Sequence, residues 1–148
     1  MPQSLARNVV HLISSTKNRE PLIVSEVRTD LFGYLAGTLN ALDCHAIRVG
    51  GFVDHVHLLF VLSKNLALVQ VVKDVKQESS KWAKGKIHSQ FYWQTGYGAF
   101  SVSASLEDTV SAYIENQEQH HNKRTFQDEL REFFRKHRMP FDEEHLWD

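Results

Sequence analysis

The octapeptide His55-Val56-His57-Leu58-Leu59-Phe60-Val61-Leu62 constrains the fold more than any other stretch of this chain. As a strand, it turns Val56, Leu58, Phe60 and Leu62 to one face and His55, His57, Leu59 and Val61 to the other. Apolar side chains then line both faces, which predicts a central strand covered on each side. The two histidines share a face at its start, roughly 7 Å apart. Each needs a partner there, because an unpaired buried polar group is costly. Imidazoles at that spacing can converge on one metal ion, or each can simply be hydrogen-bonded near a strand end. Taken alone, the triplet leaves both readings open.

The remaining pattern supplies the context. Val9 to Ser15 reads as a strand, residues 26–42 as a helix with apolar positions near a 3.6-residue period, and Cys44 to Val49 as a short strand. Gly50-Gly51 marks a turn or bulge after it. Residues 66–83 read as a lysine-bearing helix, and Gln90 to Ser103 as a strand interrupted at Gly96-Tyr97-Gly98. Ser105 is positioned to cap a helix running to about Gln119, and Thr125 to cap a last helix ending before Pro140. This order predicts an α+β fold of ferredoxin-like type, an antiparallel sheet with the helices packed on one side. With 148 residues and no repeat or linker, residues 1–148 are expected to form a single domain, its acidic tail from about 140 to 148 loose.

Composition narrows the chemistry. Cys44 is the single cysteine, so neither an internal disulfide nor a cysteine-based zinc site can form. No run approaches the ~18 apolar residues of a membrane span, and the first residues lack an apolar signal core, so the cytoplasm is the expected compartment. Overall charge is −1, but residues 64–104 carry a net +4 and residues 105–148 a net −5. The basic segment could follow a phosphate backbone or be an ordinary solvated helix face.

A second pair of polar residues stands out on the Ser105 helix. Tyr113 and Gln117 are four apart and so neighbours on one side. Gln117 falls about 20° from Val110, the middle of the apolar stripe, and Tyr113 about 60°. A glutamine directed at the core needs a partner, and its carbonyl oxygen can ligate a hard cation. Each residue read separately fits core packing. His11, His45, His88, His137 and His145 stand singly and read as structural or surface groups.

Together these residues resemble a known family: the HUH-type single-tyrosine transposases of minimal bacterial insertion sequences and their REP-associated relatives. His55-Val56-His57 matches the histidine–hydrophobic–histidine signature and Tyr113-Ile114-Glu115-Asn116-Gln117 the tyrosine helix. Ser15 to Pro21 and Trp93 to Ser101 also look like the family, in the right order over residues 8–122.

The resemblance implies a metal-dependent enzyme that cleaves and rejoins single-stranded DNA at hairpin-marked ends. His55, His57 and Gln117 would hold Mg²⁺ or Mn²⁺, and Tyr113 would attack to give a 5′-phosphotyrosine. His120 or His121 could assist, although a surface role at the helix end is the simpler expectation. A homodimer is implied for the insertion-sequence branch. Lys73, Lys76, Lys81, Lys84, Tyr92 and Tyr97 are candidates for DNA contact, whereas Trp82 and Trp93 read as core. Three rival readings remain: a domesticated relative with the same nicking chemistry, a non-catalytic nucleic-acid-binding module, and a phosphodiesterase that uses water.

Overall fold

The computed structural model describes residues 2–121, 124–144 and 146–147, with His120 described in its backbone only. Four strands form one sheet: β1 (Asn8–Ser15), β2 (Ala46–Gly51), β3 (His55–Leu62) and β4 (Gly98–Val102). Their order is β2-β3-β1-β4, and every neighbouring pair is antiparallel. Helix α1 (Ser25–Ala41) connects β1 to β2, and α2 (Leu68–Lys86) connects β3 to β4. This is the expected ferredoxin-like pattern, with the histidine strand central.

Its helices do not lie on one side. Val10, Leu12, Val56, Leu58 and Phe60 pack with Leu31, Leu35 and Leu39 of α1 and Val71, Val72 and Val75 of α2. The opposite face is covered by α3 (Glu107–Glu115) and α5 (Phe126–Lys136), with the short α4 (Gln117–His121) between them. Ile114 of α3 packs on Val9 and Leu59. Phe126, Leu130 and Phe134 of α5 pack on Ile13 and Phe100. The two-sided apolar pattern of β3 requires that second layer.

Several local expectations are corrected. Gly50 and Gly51 are not a turn: they continue β2 and pair with His57 and Val56. A Cβ on Gly50 would lie 2.7 Å from the Cγ2 and carbonyl oxygen of Ile114, so glycine here lets α3 approach the sheet. The Gln90–Ser103 stretch is strand only at β4, with one isolated bridge from Trp93 to Thr16. Ser105 does not cap α3. It lies in a 3-10 turn, Ala104–Leu106, and its hydroxyl bonds that of Ser103 at 3.1 Å. Thr125 does cap α5, its side chain accepting from the Asp128 amide at 3.1 Å.

The acidic tail is tied down rather than loose where it is described. Phe141 packs on Phe134 with ring centroids 5.2 Å apart, and Trp147 lies 6.4 Å from Phe126. Arg131 donates to both Glu143 carboxylate oxygens, at 2.5 and 3.0 Å. Apolar residues within the tail give it a surface to bury, which its net charge concealed.

The 94–97 segment is held by Lys76, whose ammonium donates to the carbonyls of Gln94, Thr95 and Gly96 at 2.8, 3.2 and 3.0 Å. Burial pulls that ammonium down to about 8. Lys76→Ala leaves three carbonyls without this donor and is expected to lower stability by roughly 1–3 kcal/mol. Urea unfolding checks this, and an unchanged midpoint would contradict the tether.

Candidate active site

The histidine face of the sheet is where the unusual chemistry collects. Pleating aims His55 and His57 of β3 and His11 of β1 to the same side. All three are buried. His57 Nδ1 lies 2.8 Å from His11 Nε2, and His55 Nδ1 lies 2.8 Å from Asp54 Oδ1. Each ring of the pair is thus fixed through one nitrogen, leaving Nε2 directed inward. His11, expected to be structural, is the group that orients His57.

The covering helices bring the remaining polar groups. Tyr113 of α3 sets its ring centroid 5.9 Å from that of His57. Asn116 leaves helical geometry (φ −97°, ψ 23°), so Gln117 starts α4 instead of continuing the tyrosine helix. The two still converge, and Gln117 Oε1 lies 3.0 Å from His55 Nε2 and 3.0 Å from His121 Nε2. The side chain of His121 is almost fully buried, so its expected surface role is overturned. The side chain of His120 and the residue His145 lie outside the described residues.

At the centre stands a residue the sequence reading missed. Glu129 of α5 is 1% exposed. Its Oε1 lies 3.1 Å from His57 Nε2 and 3.5 Å from His55 Nε2. Its Oε2 lies 3.3 Å from His121 Nε2 and accepts from Gln117 Nε2 at 3.2 Å. It also accepts from the Tyr113 hydroxyl. Burial alone would raise this carboxyl, but hydrogen bonds from His121 and His57, with the charges of His57 and His55, hold it far below the usual carboxylate range. Burial and the Glu129 charge push the Tyr113 phenol well above its ordinary value. Burial also lowers His57 and, more strongly, His11.

These contacts fit a cation. A neutral imidazole carries one proton. If His55 Nδ1–H donates to Asp54 Oδ1, the Nε2 lone pair faces the Gln117 amide oxygen and the Glu129 carboxylate. Lone pairs gathered in a buried space repel unless a positive charge sits among them. Among the described residues, His55, His121 and Glu129 each offer a ligand atom, all within 4.8 Å of one another. His57 and Gln117 of the expected ligand set border the same space.

The DNA-contact candidates lie elsewhere. Helix α2, which carries Lys73, Lys76, Lys81 and Lys84, covers the sheet face opposite the histidines. Lys73 and Lys81 are exposed, whereas Lys76 is engaged by backbone. Lys84 sits 4.2 Å above the exposed ring of Tyr92 and Lys17 sits 5.9 Å from it. Tyr97 is also exposed, with Lys76 at 5.4 Å. The Tyr92 patch borders the His55 end of the sheet, since Lys17 N bonds Tyr92 O while Thr16 N bonds Asp54 O, each at 2.8 Å. Trp82 and Trp93 pack against the core as expected.

Comparison with known proteins places this arrangement. The family profile described as "Transposase IS200 like" matches residues 4–117, a span holding His55, His57, Tyr113 and Gln117. This chain belongs to the IS200-like transposase family. The HUH single-tyrosine resemblance is thereby borne out. Among curated relatives, the ISDra2 transposase TnpA of Deinococcus radiodurans is 28% identical over 114 residues, covering 72% of this chain and 81% of the relative. A crystal structure of a candidate transposase from Deinococcus radiodurans R1 has 24% identity and a TM-score of 0.64, covering 79% of this chain and 98% of that one. A REP-associated tyrosine transposase bound to a REP hairpin has 10% identity and a TM-score of 0.59, covering 82% and 73%. These two likenesses establish a shared fold. Glu129 and His121 lie beyond the residues of this transposase that the family profile matches.

Proposed function

We propose that this transposase cleaves and rejoins single-stranded DNA at hairpin-marked ends through a 5′-phosphotyrosine on Tyr113. The observation that carries the reading is the meeting of half-buried Tyr113 with the buried His55, His57 and Gln117, from three separate elements, in one site. His55, His57 and Gln117 would hold Mg²⁺ or Mn²⁺. The cation, when bound, supplies positive charge beside the scissile phosphate and offsets the charge that develops there.

The chain's own groups do the rest. Tyr113 Oη forms a bond to phosphorus, and the bond from phosphorus to the 3′ oxygen of the upstream strand breaks. That oxygen takes a proton and leaves as a hydroxyl, while the phosphate stays joined to the tyrosine. Attack by a 3′-hydroxyl on the phosphotyrosine reverses the exchange and releases Tyr113. Glu129 Oε2, which accepts from the phenol, fixes the direction of the Tyr113 hydroxyl. His11 and Asp54 keep the two imidazoles turned inward.

DNA contact is assigned to Lys73, Lys81, Lys84, Tyr92 and Tyr97, with unpaired bases stacking on the exposed rings. Assembly as a homodimer belongs to the same reading, although Tyr113 already lies beside the histidines of its own chain. Among the described residues no helix is long and apolar enough to cross a membrane. Cytoplasmic action is proposed on the nature of the substrate.

The test is incubation with labelled single-stranded hairpin DNA and Mn²⁺, followed by denaturing electrophoresis. A DNA–protein adduct is expected, and EDTA should remove it. An adduct formed equally in EDTA would refute metal dependence, and nicked DNA without an adduct would indicate hydrolysis by water.

A further inference from the structure

We infer that Glu129 is itself a ligand of the divalent cation, so that metal binding clamps α5 and the C-terminal segment over Tyr113. The inference rests on the metal-dependent reading above and adds to it a residue from outside the family-matched region.

The argument is one of position and chemistry. A carboxylate buried to 1% exposure on an otherwise apolar helix face must be satisfied by strong partners. Glu129 meets the inward nitrogens of His55, His57 and His121 within 3.5 Å, so it shares the space on which those nitrogens converge. Imidazole nitrogen and carboxylate oxygen together suit Mn²⁺ better than Mg²⁺, which favours oxygen ligands and water. Helix α5 reaches the sheet through Phe126, Leu130 and Phe134, and the tail packs on it through Phe141 and Trp147. A cation bound to both β3 and Glu129 therefore ties this whole segment to the histidine strand. A ligand from beyond the family-matched residues 4–117 would also let α5 contribute to the metal preference of the site.

The test measures Mn²⁺ binding to the full chain by calorimetry, with amide hydrogen exchange of α5 read with and without Mn²⁺. Glu129→Gln keeps the side chain's size and removes its charge. It is expected to weaken Mn²⁺ binding at least about tenfold, as loss of groups around metal sites commonly does. It should also erase the Mn²⁺-induced protection of α5, while wild type retains both. His57→Ala is the reference and should lose Mn²⁺ binding. Far-UV circular dichroism checks folding, and Glu129→Asp, judged by the same criterion, replaces Glu129→Gln if that variant does not fold. Unchanged or tighter binding in Glu129→Gln, with binding lost in His57→Ala, overturns the assignment of Glu129 and leaves the histidine site standing. Unchanged binding in both variants sinks the histidine site as well.

Discussion

Tyr113→Phe is expected to abolish the DNA–protein adduct, with strand cleavage falling by more than about a thousandfold, the scale typical of losing a covalent nucleophile. Phenylalanine keeps the ring that stands 5.9 Å from His57 and 5.7 Å from Phe133, so the packing of α3 is preserved. What is lost is the hydroxyl that donates to Glu129. Removing a donor from a buried carboxylate costs about 1–3 kcal/mol, so the variant should fold with a modestly lower midpoint. Hairpin binding should remain close to wild type, because the substitution leaves the exposed Tyr92 ring and the Lys84 ammonium 4.2 Å above it unchanged. Gel electrophoresis of the cleavage products, with binding measured on the same preparation, decides it. Cleavage that persists in Tyr113→Phe would assign the nucleophile to water and remove the transfer mechanism altogether.

Ile114→Ala is expected to destabilise the layer that carries the tyrosine by about 2–5 kcal/mol, the range for a fully buried isoleucine. Ile114 is 1% exposed and packs on Val9 and Leu59. Its closeness to Gly50 leaves no room for even a methyl group there. Helix α3 has nine residues, too few to be stable in water alone, so its position depends on this docking. Because Tyr113 is the adjacent residue, adduct formation should slow together with the loss of stability. Urea titration and the adduct assay on one sample test the link. A loss below about 1 kcal/mol would mean that α3 is held by contacts other than Ile114.

The legibility of the fold varied with how local its causes were. β3 was readable to the residue, since alternation is written within eight positions. Helix α1 was readable within about a residue at each end, and α5 through its Thr125 cap. The second strand was cut short because Gly50 and Gly51 look like a turn to any local rule, and only the approach of Ile114 explains them. The helix carrying Tyr113 was drawn too long because its break at Asn116 has no proline or glycine to mark it.

His55, His57, Tyr113 and Gln117 could be chosen because each is polar where the periodicity calls for an apolar residue. Glu129 carried the same signal, standing beside Phe126 and Phe133 at the edge of the apolar stripe of α5, yet it read as one more acid in an acidic segment. The sequence by itself determined the histidine strand, the covering helices and the identity of the nucleophile candidate. Only the tertiary structure decided that Glu129, His121 and His11 share the site. Periodicity reports which face a side chain takes from neighbours a few positions away. It says nothing of where a helix 72 residues along the chain from His57 will lie on the sheet, and that placement follows from burying Phe126, Leu130 and Phe134 on Ile13 of β1 and Phe100 of β4.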